Sequence, residues 1–502
     1  MPLVPHQVPS PGFFGMAKQG EQSPLGTEWA VIAKNIVVDS SGRLSSRKGW
    51  TKLNATPASG AIVQLHQYVS AAGATDIIST IATDIFHGTS TLTSIKGALS
   101  PSAGNWKFVN FNGYALGWQA SHTPIAWNGA GNFAAITATS GTLPTGDTVL
   151  AAFGRVWGLD TDKQTIRYSA LLDHTKYATV DGGGVIDMRS VWTRGMDEVV
   201  AIIAYGSSLV VFGKRHIVVW VDGSGSELGL SPVNMYVSTV IENVGLVARD
   251  AVTLVGEVDV VFWSSNGIRS LNRTVQEQAS PVNELSPQNR DYLASYLATG
   301  TLSKMRAAYS LIDGFVLITH PDVSRTWCFD MRAPLESGGY RVTEWTLAPR
   351  AWCPTITDTL LLGSSDGYIG QYTGYQDNTV SYQYEFETGW VKVSGDEGRK
   401  QSLKALKGYF YTIGNIMVNF KWWVDFKPGY STAQRFLIGL GDEWGIDEWA
   451  LMEWGAGQVF HEKRIPLSHE CEYAKFAVVA EINGAQFAIQ PLTLYTKPTR
   501  LA

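Results

Sequence analysis

Short apolar runs recur along most of this chain, each closed by a turn. Ile62–Tyr68, Asp76–Ile81, Tyr114–Trp118, Val199–Tyr205, Asp259–Ser264 and Gly314–Thr319 are rich in β-branched and aromatic residues and give way to Gly, Asp or Asn. Runs of that length between turn residues read as strands. Ser265-Asn-Gly-Ile-Arg-Ser-Leu271, Ile312-Asp-Gly-Phe-Val-Leu-Ile318 and Ser365-Asp-Gly-Tyr-Ile-Gly-Gln371 each set Asn or Asp before Gly. Both residue types accept positive φ, so these are hairpin turns. Their spacing of roughly 45–55 residues is close to the ~40–50 of one propeller blade. Residues 61–374 are therefore predicted to form a β-propeller of about five to seven blades. Helical spacing is scarce; Pro287–Leu297 is the predicted helix, with Pro287 suited to a first turn.

The two ends differ in texture. Residues 1–60 read as an N-terminal arm and a hairpin. Five prolines precede Gly26, and Phe13, Phe14 and Met16 stand out as anchors for a neighbouring subunit. Trp29–Asp39 and Gly42–Trp50 then form the hairpin, with its turn near Ser40–Gly42. In residues 375–502, Asp377–Thr388, Lys404–Ile413, Ile416–Phe426, Lys475–Ile482 and Gln486–Tyr495 alternate as half-exposed strands do. They predict a second, β-sandwich-like domain, which makes the whole chain all-β. Within it Trp444, Trp449 and Trp454 follow one another at five-residue steps, each after a Glu. That step fits neither a strand nor a helix, so the segment reads as a loop of stacked turns and a candidate subunit contact.

Charged residues are only 17% of the chain, below the ~25% typical of soluble proteins, while 45% are hydrophobic and 18 are tryptophan. Such a composition suits sheets covered on both faces and a permanent assembly. The net charge of −5 lacks the basic excess of proteins that grip phosphate tightly. Three cysteines with no C-x-x-C pair point away from a disulfide framework and toward synthesis in a reducing compartment. Met1–Pro11 has neither a basic nor an apolar leader pattern, so no signal peptide is expected. No run approaches ~18 apolar residues, so no membrane insertion is expected either.

No catalytic, cofactor or metal site is expected. His174 follows Asp173, but no nucleophile sits in a G-x-S-x-G frame. No histidine completes metal spacing with Cys328, Cys353 or Cys471; His461 and His469 flank Pro466 and read as surface residues. Asp442-Glu443 and Asp447-Glu448 read as solvated loop charges, although acids beside tryptophans also mimic a carbohydrate-binding face. Asp222–Glu227 and Ser394–Gly398 lack the calcium-loop pattern. Lys392, Arg399, Lys400, Lys404 and Lys407 form the densest basic cluster, and Arg399, Lys400, Lys404 and Lys407 are candidate weak DNA contacts.

Five stretches together resemble the nozzle, or tail tubular (hub, DNA-stabilisation), proteins of short-tailed bacteriophages. They are the arm leading into Ala30–Trp50, Arg155–Asp160 with Ile166–Tyr177, Leu209–Trp220, Val260–Leu271, and Leu361–Gly370 with the tryptophan-rich segment after it. The resemblance implies a non-enzymatic tail component of the virion, made in the host cytoplasm and assembled as a homohexameric ring. That ring would sit below a portal and adaptor, beside tail fibres or spikes, and would retain and then conduct double-stranded DNA. It implies no cofactor and no catalytic residue. A propeller that binds a host receptor or glycan is the competing expectation, and a polysaccharide hydrolase is a third.

Overall fold

The computed structural model describes residues 3–8, 14–18, 28–100, 104–193, 195–223, 230–256, 258–277, 284–336, 338–393, 400–438 and 459–499. Strands dominate them, with α-helices only at Leu271–Glu277 and Arg290–Leu297. The second of these follows a single 3-10 turn at Pro287–Asn289 and matches the predicted helix; the first was not anticipated.

A β-propeller occupies the middle of the chain. The inner strands of its blades are Gln64–Val69, Lys107–Phe111, Val149–Ala152, Val199–Tyr205, Val252–Val255, Arg306–Ser310 and Ala351–Pro354. Each starts an antiparallel meander, giving six four-stranded blades and a fifth blade of three strands. Outside that blade's last strand, the Leu285 amide donates to the Ile268 carbonyl at 2.9 Å, so a single bonded residue stands where a fourth strand would.

Adjacent blades meet through apolar clusters that run round the ring. Tyr68 packs on Trp127 between the first and second blades, Phe212 on Phe262 between the fourth and fifth, and Trp263 on Trp327 between the fifth and sixth. Ring pairs at centroid distances of 5.0–5.1 Å contribute about 0.5–1.5 kcal/mol each beyond the area they bury. The last cluster joins Ala351, Cys353, Leu361 and Ile369 of the seventh blade to Ile62, Leu65 and Ile77 at the first, which closes the circle. The seventh blade takes its outermost strand from far upstream: Trp50–Lys52 pairs with Ile369–Tyr372.

Gly267, Gly314 and Gly367 all have positive φ, as their turns require. They do not mark one repeated position. Asp313-Gly314 lies between the first and second strands of its blade, whereas Asn266-Gly267 and Asp366-Gly367 lie between second and third strands.

The remaining strands make two sheet layers that share one core, and the second is continuous with the sixth blade, whose last strand Arg341–Trp345 bridges to Trp29–Lys34 at Glu344 and Lys34. One sheet orders Val459–Pro466, Gln401–Thr412, Phe487–Pro498, Leu44–Ser46 and Ile36–Val38; the other orders Trp29–Lys34, Tyr382–Thr388, Tyr473–Ile482, Ile416–Val424 and Ser431–Leu437. Leu403, Phe410 and Leu492 of the first face Tyr384, Phe420 and Val478 of the second. The hairpin expected within residues 1–60 is Ile36–Val38 with Leu44–Ser46, and it belongs to this unit, as does Trp29–Lys34. One segment, residues 28–52, thus builds the two-layer unit and closes the propeller.

Asn35 sits at the crossing, buried and with φ 57°. Its side chain accepts from Arg47 Nε at 2.9 Å and donates to the Gln383 carbonyl at 2.6 Å. Arg47 is itself fully buried and grips Asp377 at two points, 2.8 and 2.6 Å.

Candidate nucleic-acid interface

The first of these two sheets has an outer face turned away from the shared core. Strand alternation sends successive side chains to opposite faces. With Leu403, Leu406, Phe410, Ile465, Leu492 and Leu494 in the core, the outer face receives Lys407, Tyr409 and Tyr411 from one strand. Phe460, Glu462 and Arg464 come from its first neighbour, and Thr493, Tyr495 and Lys497 from the second. Register bulges between Leu403 and Ala405 and between Gly408 and Phe410 shift the count, and Lys404 lies at the first of them. Arg43 joins from the turn just before Leu44–Ser46, its guanidinium 4.4 Å from the centre of the Tyr411 ring.

Cations and aromatic rings interleave on this face. Lys407 lies 5.0 Å from the Tyr409 ring centre, and Arg464 lies 5.8 Å from that of Tyr495. Lys407 also pairs with Glu462 at 2.9 Å, and Arg43 with Asp39 at 2.7 Å. Bonds to Tyr409 and Glu462 hold the Lys407 ammonium above the ordinary lysine range, so it stays charged at any working pH. Lys404, Arg464 and Lys497 are exposed. Arg43, Lys404, Lys407, Arg464 and Lys497 stand against Asp39, Glu462 and the exposed Glu470, which shares a cross-strand row with Lys497 through Ser402; a local positive excess remains on a chain whose net charge is −5. Lys400 is exposed at the entrance of the same strand, its carbonyl accepting from Thr499.

Three of the four expected DNA contacts, Lys400, Lys404 and Lys407, are thus brought to this region; Arg399 lies outside the described residues. Arg43, Arg464 and Lys497 were not anticipated. Their alternation was visible, but not the pairing that sets them beside Lys407. Lys392 lies in the other sheet, paired with Tyr473.

The expected subunit contacts fare differently. Met16 is a correction: it is 1% exposed in the core of its own chain, held by a short strand beside Trp29–Lys34 and by Asn289 Nδ2 on its carbonyl at 2.6 Å. Phe14 is half-buried with its ring edge against Trp29, 5.4 Å between centroids. Phe13, Trp444, Trp449 and Trp454 lie outside the described residues.

The other titratable candidates are dispersed. His174 packs beside Phe111 and Tyr114, and His469 Nδ1 accepts from Trp422 Nε1 at 3.2 Å. All three cysteines are buried free thiols; burial pushes Cys353 and Cys471 up to about 12. Among the described residues, no three His, Cys, Asp or Glu side chains come together as metal ligands. No helix among them is long and apolar enough to cross a membrane.

No protein-family model matches the chain, and no curated protein matches it in sequence. Among solved structures it is similar to the WD40 domain of Toxoplasma gondii coronin at 10% identity, over 68% of this chain and 86% of that one, with a TM-score of 0.36. It is similar to Kluyveromyces lactis Hsv2 at 11% identity, over 57% and 98%, with a TM-score of 0.30. A carbohydrate-binding module, TmCBM61, solved with β-1,4-galactotriose, aligns at 11% identity over 28% of this chain and 70% of that one, with a TM-score of 0.17.

Proposed function

We propose that this chain is a non-enzymatic component of a short bacteriophage tail, one subunit of a ring that retains the packaged genome and conducts it on ejection. The observation that carries this reading is the basic, aromatic-studded sheet face on an otherwise acidic protein. Phosphate contact there does not depend on base sequence, and each contact strengthens binding and raises its salt dependence. Two of the cations are already matched by Glu462 and Asp39, so phosphate competes with carboxylate and the grip stays weak. Weak, sequence-blind contact suits a wall past which a duplex must slide.

The places of the resembling stretches in the fold add support. Arg155–Asp160 with Ile166–Tyr177, Leu209–Trp220, Val260–Leu271 and Leu361–Gly370 are all second-to-third-strand hairpins of propeller blades, with flanking residues. They carry the fold. The first stretch is different: Ala30–Trp50 is the joint between the propeller and the two-layer unit. A propeller with additional β structure is the architecture the resemblance implies.

Sedimentation of the purified chain, alone and with a portal–adaptor complex, tests the ring. Six-subunit particles are expected. A chain that stays monomeric under both conditions contradicts the proposal.

A further inference from the structure

The axis of the propeller is bridged at one end by charged side chains. Asp250, at the entrance of the fifth blade, receives Lys107 of the second blade at 3.0 Å and Arg249 at 2.7 and 3.1 Å. Arg249 reaches back to Asn105 Oδ1 at 2.9 Å and to the Asp147 carbonyl at 2.7 Å. Arg306, entering the sixth blade, donates to Asn105 Oδ1 at 3.0 Å. The second and fifth blades stand on opposite sides of the ring, so these bonds cross the axis. Above them lies a cavity of about 520 Å³, with Lys107 and Arg249 at its floor, walls including Val109, Leu150 and Ile203, and Asp358 in its lining.

We propose that this cavity, floored at one end, binds a small monocarboxylate with an apolar body. Three cations converge on the buried Asp250 at the floor, with the half-buried Asp147 as their other carboxylate neighbour. Positive charge is in excess there. A donor is also unspent in the lining: the Lys107 ammonium has one carboxylate partner for its three hydrogens. An arriving carboxylate takes a charge-assisted bond from Lys107, and its body replaces water against aliphatic walls. The size falls within the ~300–1,000 Å³ of small-molecule sites. Asp358 is exposed near the inner-strand turns, remote from the floor, where solvent screens it; it disfavours a second negative charge on the ligand.

Calorimetric titration of the full chain with octanoate, octanol and octylamine tests this assignment, since the three share one body and differ in head group. Octanoate should bind saturably, octanol about tenfold more weakly or worse, and octylamine not at all. Lys107→Met should reduce octanoate affinity to that of octanol. Leu254→Trp, which fills the cavity from its exposed wall, should abolish both while leaving the floor intact, and so covers the case in which loss of Lys107 unfolds the ring. Equal affinity for all three probes, no octanoate heat at millimolar concentration, or octanoate binding unchanged in both folded variants would overturn the proposal.

Discussion

Lys407 and Arg464 stand directly opposite each other on neighbouring antiparallel strands. Like charges in that position repel, whereas opposite charges or aromatic pairs would stabilise the sheet. The repulsion is relieved locally, Lys407 by Glu462 and Arg464 by the Tyr495 ring. A cross-strand cation pair that needs such support is costly for folding and useful for holding an anion. Changing Lys404, Lys407, Arg464 and Lys497 together to serine should leave the fold intact, because three are exposed and the half-buried Lys407 lies on the face turned away from the core. It should weaken duplex DNA binding and lower the slope of log affinity against log salt by about 0.9 for each phosphate no longer neutralised. Filter binding at several salt concentrations reads both quantities; unchanged slope and affinity would remove the face as a DNA contact.

The joint between the two units depends on the Arg47–Asp377 pair. Arg47 has no exposed side-chain surface, while Asp377 retains 22%. Removing only the carboxylate strands a buried guanidinium, which typically costs about 3 kcal/mol or more. Asp377→Ala should therefore lower the denaturation midpoint sharply. The double variant Arg47→Met, Asp377→Leu should recover part of the loss, because it removes the stranded charge. Equal midpoints for wild type and Asp377→Ala would show that the pair contributes nothing to the joint.

Gly267 lies at φ 114°, and a Cβ there would stand 2.8 Å from Glu284 Oε2. Glu284 is only 4% exposed and already bonded to Arg290 Nε at 2.6 Å, so it has little room to yield. Gly267→Val should cost about 1 kcal/mol or more through backbone strain, before any clash is counted. A chemical denaturation curve that overlays the wild type would contradict this account of the turn.

Stability should also fall in mild acid through His66. Burial, with a smaller push from Lys107, lowers its imidazole to about 4, although Asn110 at 3.0 Å opposes the shift. The unfolded chain takes up that proton near 6.5, and the folded chain does not until about 4. The stabilisation is therefore complete above about 6.5 and is lost progressively as pH drops to about 4. His66→Gln, which can still donate to Asn110, should flatten that part of the curve. Identical slopes for the two proteins across that window would count against a half-buried, neutral His66.

Propeller architecture was legible because its signals are local. Turn glycines such as Gly314 and strands such as Phe315–His320 announce themselves within a few residues. Partners far apart in sequence do not. Trp50–Lys52 reads as the end of a hairpin, and nothing in its composition says that Tyr372 is the neighbour of Trp50. Met16 looked like an anchor for another subunit because a proline-rich arm gives no sign of which core it enters. Half of the basic face was visible as a lysine cluster. The other half needed the register and its two bulges, which no count of alternating residues anticipates.

Electron microscopy of the chain assembled on a portal–adaptor complex is the most direct measurement of what this protein is for. A six-fold ring should appear, with Lys404, Lys407, Arg464 and Lys497 of every subunit turned toward the axial channel. A ring with that face on its outer wall, or no ring at all, would contradict the conduit.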